Sequence, residues 1–362
     1  MYAVSNLGDA LDVTRQFLAD LHKRSVVVLA LVVLFAAGLG VGVPSVPVGD
    51  LAELETALTD AGIEADLPTL ELLVLLGLAG FGVYLLWTFV GSLAEFVYVS
   101  ALRSGTVRVG SSVSAHLHLG VSLFAFRAAL TLGTLAITAA VAYPLITQYD
   151  SLGDVSASTL ALLSLFGLVT GLGFAIVSRL TTEFVVPIML LEDRRVLSAW
   201  RRFWPTIRAN SGEYVVYLIL ATVASFVGSI IVGILVGLAV FLLAIPVIAF
   251  AFFAFFLGPV GLVLLILLVV VLIPLVIVLY AIVELPFVTY IRYYALLVLG
   301  DIDEDLDLIP DRRNAVREAR AWGARGEGDS GGSTDGRQAG TDRDGSASDG
   351  DRSSDRDRDG WR

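Results

Sequence analysis

The chain contains no cysteine and little charge. Because the chain has no thiol, it can form no disulfide, no thiolate nucleophile and no cysteine-ligated metal site. Charged residues make up 16% of the 362 residues, below the usual quarter, whereas apolar residues make up 56%. Only one of the 24 basic residues is a lysine, Lys23. This shortage of lysine beside abundant aspartate is typical of a salt-loving archaeon, although genomic base composition alone would produce the same bias.

Charge is almost absent from one long apolar run, Tyr214–Ile291, which is interrupted only by Glu284. As a helix this run would be about 117 Å long, several times the length that one bilayer crossing needs. A soluble domain of ordinary composition could not bury such a run. The sequence therefore predicts an all-α integral membrane protein.

Four further apolar segments are long enough to span a bilayer. They are Ser25–Val43, Leu70–Val99, Leu119–Ile146 and Ser158–Leu191. The long run has room for two or three spans, with breakers at Pro246 and Gly258. We favour two, about Tyr214–Leu243 and Leu262–Ile291, joined by an apolar re-entrant or interfacial link. The predicted fold is thus a bundle of about six transmembrane helices.

The connecting segments alternate in charge. Lys23 and Arg24 precede the first span, Pro44–Thr69 carries acids only, and Arg103 and Arg108 follow the second span. The next connection is acidic, and the one after it contains five arginines. Because Lys and Arg in short loops mark the cytoplasmic side, both termini are expected in the cytoplasm of a multi-pass cell-membrane protein.

Each even-numbered span carries one glutamate near its end, at Glu95, Glu183 and Glu284, and arginines follow. With an amphipathic segment before each pair of spans, this pattern predicts three repeated helix pairs. The expected organisation is a cytoplasmic amphipathic lead-in helix at 1–24, a transmembrane domain at 25–299 and an acidic cytoplasmic tail at 300–362. The tail holds 17 acidic residues and 11 arginines, and it is expected to be disordered from Gly323, after a short helix at Asp311–Trp322.

Two short helices are predicted outside the spans. One begins at Asp50 with a capping box in the first acidic loop. The other follows Asp193 as its N-cap and has an apolar stripe from Val196 to Ile207. Its expected lipid-facing residues are Trp200, Arg201, Arg202, Phe203 and Trp204. This helix would dock lipid or a partner, or it is an elbow joining two spans at the headgroups, which we favour.

Charges inside the spans require a reason, because each costs at least about 2.5–3.5 kcal/mol on insertion scales. We expect three intramembrane pairs, whose members are Glu95 with Arg127, Arg179 with Glu183, and Glu284 with Arg292 or with an arginine across the bundle. The pairs would fix helix positions near the interface, which we favour. Alternatively, the three glutamates converge on a water-accessible cavity of a proton- or cation-linked transporter.

Motifs for catalysis or metal binding are missing. His116 and His118 have no acidic neighbour in sequence, and Asp301–Asp307 lacks the glycine of a calcium loop. There is no phosphate-binding glycine loop and no serine elbow. We therefore expect no cofactor, no metal and no enzymatic activity.

Several segments resemble a haloarchaeal family of multi-pass membrane proteins of unknown function. They are Tyr2–Arg15, Glu95–Val97 with Leu123–Arg127, Phe184–Met189 and Ala199–Pro205. The resemblance covers roughly residues 2–300 and implies origin and topology but no activity. A looser resemblance exists to the membrane domain that accompanies some glycerophosphodiester phosphodiesterases. Their activity does not transfer, because the chain lacks the phosphodiesterase domain.

Three hypotheses about function remain. The favoured one is a non-enzymatic scaffold or accessory protein that engages lipid or a membrane partner. The second is a small-solute or ion transporter or channel that uses Glu95, Glu183 and Glu284, and the least favoured is a lipid-modifying enzyme. The expected partners are the lipid bilayer and an unidentified membrane protein. Nucleic acid is not expected, because acidic residues outnumber arginines in the tail.

Overall fold

The structure, a computed structural model, describes residues 2–37, 70–149 and 155–329. Its α-helices are α1 (Tyr2–Asp20), α2 (Lys23–Ala37), α3 (Leu70–Ser104), α4 (Val109–Ile146), α5 (Ala157–Leu180), α6 (Val186–Glu192), α7 (Val196–Ala209), α8 (Ser211–Phe256), α9 (Pro259–Ile302) and α10 (Pro310–Asp329). A π-helical segment, Thr181–Val185, joins α5 to α6, and a 3₁₀ turn, Glu304–Leu306, follows α9. The described residues thus form an all-helical protein, as the sequence predicts.

Among the described residues, five helical segments are long and apolar enough to cross a membrane. They are Gly77–Ser104, Val109–Leu145, Ala157–Glu192, Ser211–Phe256 and Pro259–Ile302. The predicted first span corresponds to α2, which is 15 residues long, and the rest of that span lies outside the described residues. The short helix predicted to begin at Asp50 also lies outside them.

The long apolar run folds into a hairpin of two helices, α8 and α9. The predicted re-entrant link at 244–261 is wrong, because α8 continues through Pro246 to Phe256. The chain reverses at Gly258, whose φ of 58° favours glycine, and Pro259 occupies the first turn of α9. A Cβ on Gly261 would overlap the carbonyl oxygen of Ala254, so the two helices meet closely at this turn.

A core of aromatic side chains fills one end of the bundle. There α1 and α7 pack against the ends of the long helices. The largest fully buried rings are Phe17, Tyr98, Phe96, Phe184, Phe203, Tyr217, Tyr293 and Tyr294. Away from this end, α4, α5, α8 and α9 expose large apolar side chains such as Leu168 and Phe226, a surface suited to contact lipid.

The C-terminal part of the chain is more ordered than the sequence predicts. Residues up to Arg317 belong to one compact unit, in which Arg313 and Arg317 form ion pairs with Asp301. Helix α10 also continues past Trp322 to Asp329, because extending an existing helix adds one hydrogen bond for each residue fixed. The rest of the predicted disordered tail, 330–362, lies outside the described residues.

Candidate functional site

Glu95 is the centre of a buried charge network near the end of α3. Its side chain is 0% exposed. Oε2 lies 2.6 Å from Nη2 of Arg292 on α9, and Oε1 lies 3.2 Å from Nη2 of Arg127 on α4. The sequence pairs Glu95 with Arg127 alone. In the structure the carboxylate accepts a hydrogen bond from a guanidinium on each oxygen, so it connects three helices.

The π-helical segment supplies further acceptors to these arginines. Within it, the N–H of Val186 donates to the Thr181 carbonyl, five residues earlier. The next bond of this kind would run from residue 187 to the Thr182 carbonyl, but Pro187 has no N–H. Nη1 of Arg292 donates to this carbonyl instead, and Nη2 of Arg127 donates to the Thr182 hydroxyl at 2.9 Å. Proline therefore opens the helix at the place where the arginines bind.

Arg179 and Glu183 form a second pair, on the same helical stretch. Arg179 Nε lies 3.0 Å from Glu183 Oε1, and its two terminal nitrogens donate to Thr222 and Ser225 on α8 at 3.0 and 3.1 Å. The Tyr217 hydroxyl lies near the Glu183 carboxylate, but neither this hydroxyl nor Glu183 Oε2 has a partner in hydrogen-bond geometry among the described residues. One carboxylate oxygen of Glu183 is therefore left without a hydrogen-bond partner among the described residues.

Glu284 lies apart from the network. It is half-buried on α9, and no basic side chain in the described part of the chain lies within ion-pair distance of it. The predicted pair with Arg292 is wrong, because that arginine, two helical turns later, reaches Glu95 instead. Glu284 is beside the Tyr280 hydroxyl, and none of the residues that the structure describes forms a hydrogen bond with its Oε2. The structure therefore connects Glu95 and Glu183 through arginines and the π-helical segment, but not Glu284.

The network lies about one hydrocarbon thickness from the opposite ends of α4 and α5. From Arg127 to Ile146 the helix rises about 29 Å, and from Arg179 back to Ala157 about 33 Å. The hydrocarbon layer of a bilayer is about 30 Å thick. If these helix ends lie at one boundary of that layer, the charges lie at the other boundary rather than at the centre. This position reduces the cost of keeping them in the protein.

Residues 1–309 match a family whose description is "Family of unknown function (DUF7544)". The chain belongs to this family. No curated protein and no solved structure matches the chain. The family's description assigns no activity.

Helix α7 has a different orientation from the one predicted. Phe203 is fully buried and stacks on Phe184, with ring centroids 5.3 Å apart, so it does not face lipid. Trp200 is half-buried and donates its indole N–H to the Thr181 hydroxyl at 3.2 Å. Arg202 binds Asp303 at 3.1 Å. Within the predicted lipid-facing set, the exposed residues are Arg201 and Trp204. The apolar stripe of α7 therefore packs on protein.

Asp193 does not cap α7. It is the left-handed residue that ends α6, with a φ of 51°, and the N-cap of α7 is Arg195. The carboxylate of Asp193 instead lies 3.1 Å from Nε2 of His118 on α4. The helices are joined by three residues, 193–195, in a sharp turn in which aspartate tolerates the left-handed conformation, and this turn takes the Asp193 side chain away from the start of α7.

A second polar cluster, missed by the sequence analysis, joins α1, α9 and α10. Its members are Asn6, Asp9, Asp301, Asp307, Arg313 and Arg317. Asp301 accepts hydrogen bonds from Arg317 at 2.7 and 3.0 Å, from Arg313 at 3.3 Å and from Asn6 at 2.9 Å. Arg317 also binds Asp9 at 3.2 Å, and Arg313 binds Asp307 at 3.0 Å. The hydrogen bonds that the Arg317 guanidinium donates to Asp301 raise the pKa of this guanidinium above its usual value.

Two sequence signals could have revealed this cluster. Asn6 and Asp9 lie on the face of α1 that also carries Ala3, Ala10, Val13 and Phe17, and a polar residue on an apolar face needs a buried partner. Arg313 and Arg317 are four residues apart, so they share one face of α10. What the sequence could not indicate is that this face returns to α1, more than 300 residues away.

Proposed function

We propose that this chain is a non-enzymatic scaffold or accessory protein of the cell membrane, which engages lipid or a membrane partner. One observation carries the proposal: Glu95 is fully buried and both of its carboxylate oxygens bind arginines from other helices. With an arginine on each oxygen, this carboxylate has its charge balanced inside the protein, which disfavours a role as a proton or cation site. Its role is to hold α3, α4 and α9 together.

The packing of α7 supports the same proposal. Its apolar stripe is used inside the protein, which fits an elbow between α6 and α8 at the level of the headgroups. Its outer side still exposes Leu197, Arg201 and Trp204, with Arg208 stacked over the Trp204 ring at 5.0 Å. Tryptophan and arginine together suit the interface of an anionic leaflet. The lipid-engaging surface we propose is therefore this outer side of α7.

We further propose a topology of six spans in three repeated helix pairs with both termini in the cytoplasm. Contacts support it, because segments that the charge pattern assigns to one side also meet in space. Asn6 meets Asp301, Arg202 meets Asp303, and His118 meets Asp193. Single cysteines replacing Asp60 and Arg202 should react with an impermeant maleimide from opposite sides of the membrane. Reaction of both from the same side would reject this threading. The lysine-poor composition supports a halophilic source.

Cysteine accessibility tests the scaffold proposal, since the chain has no cysteine of its own. Ser92 is 0% exposed one helical turn before Glu95, whereas Ser111 is exposed near the start of α4. Ser92→Cys and Ser111→Cys are nearly isosteric substitutions. In proteoliposomes, a small hydrophilic maleimide should label Ser111→Cys and leave Ser92→Cys unreacted. Rapid labelling of both would indicate a water path to Glu95 and would reject the proposal.

Transport is the second candidate function. The observation in its favour is that Glu284 and Glu183 each have an oxygen without a hydrogen-bond partner in the described part of the chain. A transporter would move protons or cations through these groups. The transport hypothesis predicts that a hydrophilic maleimide labels Glu284→Cys. It also predicts a proton leak, measured with an entrapped pH dye, which is lost in the Glu284→Gln variant. The scaffold proposal predicts a leak no greater than that of empty liposomes.

A further inference from the structure

A small pocket opens where α3 ends and α4 begins, away from the buried charge network. Its volume is about 260 Å³. The wall contains Arg103, Arg108 and His116, together with five hydroxyl side chains and one leucine, and it contains no carboxylate. The volume lies just below the range of about 300–1,000 Å³ that is usual for small-molecule sites. The pocket is therefore suited to a compact polar group.

The charges of this pocket are not compensated by the protein. Arg103 and Arg108 form no ion pair with any residue that the structure describes, in contrast to Arg127, Arg292 and Arg317. Two guanidiniums beside several hydroxyl donors form a site for an anion with several oxygens. The N-cap residue Arg108 provides no side-chain acceptor for the first N–H groups of α4, and free N–H groups at a helix N-terminus favour an anion nearby.

His116 adds a third nitrogen donor or acceptor. It lies at a kink in α4, and its Nδ1 is 2.9 Å from the Ser112 carbonyl oxygen. Since a carbonyl only accepts, Nδ1 carries the proton, which leaves Nε2 as the nitrogen available to a ligand. The ring lies over Phe96, with centroids 6.4 Å apart. The histidine is thus held in place by contacts on its other atoms.

The pocket lies on the headgroup side of the buried charge network. Arg103 is eight residues beyond Glu95, so it lies about 12 Å further along α3, on the side away from the apolar surface. If Glu95 marks the hydrocarbon boundary, the Arg103 backbone lies just beyond the headgroup region, which is about 5–8 Å thick on each side. On α4, Leu117 and Val121 expose 47% and 45% of their surfaces and continue the apolar surface below.

We propose that this pocket binds a phosphate group, either the headgroup phosphate of an anionic lipid or a free phosphate. The guanidiniums of Arg103 and Arg108 neutralise its charge. Its remaining oxygens accept from the hydroxyls that donate to no backbone carbonyl, those of Thr106, Ser111 and Ser112, because Ser100 and Ser104 donate to carbonyls of α3. The inference deepens the lipid-engaging part of the proposed function and rests on it only for the lipid source of the phosphate. The buried network plays no part in it.

Calorimetric titration of the purified full chain in an uncharged detergent tests the proposal. The three probes are inorganic phosphate, dioctanoyl phosphatidylglycerol and dioctanoylglycerol, which has no phosphate. We expect Arg103→Gln and Arg108→Gln each to weaken phosphate-dependent binding at least tenfold, because each removes a charged hydrogen-bond donor. The matched control is Arg15→Gln, which removes the same charge from an exposed position on α1 and should change nothing.

The outcomes separate the two sources. Binding of both inorganic phosphate and the phospholipid, weakened by both pocket variants, assigns the site to phosphate in general. Binding of the phospholipid alone, with the same loss, assigns it to a lipid headgroup. The proposal is overturned if neither phosphate probe binds, if dioctanoylglycerol binds equally well, or if Arg15→Gln weakens binding as much as the pocket variants. An unchanged unfolding midpoint shows that a variant is folded, and Ser92→Cys labelling tests the scaffold proposal separately.

Discussion

Replacing Glu95 by glutamine should destabilise the bundle, because two arginines would lose the carboxylate that balances their charge. Glutamine keeps the size of the side chain and one acceptor oxygen. It removes the negative charge that lies 2.6 Å from Arg292 and 3.2 Å from Arg127. The two arginines are not equally affected. Arg127 is 21% exposed and keeps the Thr182 hydroxyl, whereas Arg292 is 5% exposed and keeps one carbonyl.

The expected magnitude follows from this geometry. Removing one partner of a buried ion pair costs about 3–5 kcal/mol. Because Arg127 is partly solvated, we expect the lower end, about 3 kcal/mol for Glu95→Gln. Arg292→Gln should cost about the same, since Glu95 would then keep only the longer of its two ion pairs. The double variant should cost about 4 kcal/mol, which gives a coupling energy of about 2 kcal/mol between the two residues.

Unfolding in mixed micelles by increasing amounts of dodecyl sulfate measures these values. The five tryptophans of the chain report the transition by fluorescence. Arg15→Gln is the control for a general loss of positive charge, and its midpoint should equal that of the wild type. A second cycle with Arg127→Gln should give a smaller coupling energy, because that ion pair is longer and partly exposed.

Two results would refute the reasoning. If Glu95→Gln is as stable as the wild type, the carboxylate does not hold the helices together. If the costs of Glu95→Gln and Arg292→Gln simply add in the double variant, the two residues act independently and the short distance between them has no energetic meaning. Either result would also remove the observation on which the scaffold proposal depends.

Three further predictions concern other parts of the fold. Gly261→Ala should destabilise the hairpin by about 2 kcal/mol or more, because the added Cβ meets the backbone of the facing helix. Gly237→Ala is the control, since the space around Gly237 is open, and it should not destabilise the protein. Equal unfolding midpoints for the two variants would contradict this prediction. Trp200→Phe should lower the free energy of unfolding by about 1 kcal/mol, because the hydrogen bond to the π-helical segment is lost. Trp204→Phe should lower it less, because Trp204 is exposed. The reverse order of the two unfolding midpoints would show that the outer side of α7 contributes more to stability than its inner side. Asp301→Asn should increase hydrogen–deuterium exchange in the first two turns of α10, and unchanged exchange there would mean that the ion pairs do not hold this helix.

Much of the helical framework could be predicted from the sequence. The apolar runs fixed where α3, α4, α5, α8 and α9 lie, because helices that cross a bilayer must consist of about 20 mostly apolar residues. The amphipathic pattern of residues 1–24 likewise predicted α1. Helix ends were less predictable: Pro246 looked like a breaker, but the helix passes through it, and the reversal occurs at Gly258. A single missing N–H does not end a helix that a neighbouring helix supports.

The candidate site was predicted only in part. Glu95 and Arg127 were paired by their equal depth on antiparallel helices, and Arg179 and Glu183 by their spacing of four residues. The partner of Arg292 was missed, because local spacing favoured Glu284. The partner of Phe203 was missed as well. The sequence placed Phe203 in the apolar stripe of α7, but it did not show that this stripe packs against protein.

By itself, the sequence determined where the long apolar helices lie, since the length of an apolar run is a property of neighbouring residues. Tertiary structure alone decided the charge partners that are most distant in the sequence. Glu95 and Arg292 are 197 residues apart, and Asn6 and Asp301 are 295 apart, so their contacts depend on how the helices are arranged and rotated. Rotation of one helix by a fraction of a turn changes every such partner while leaving the apolar pattern intact.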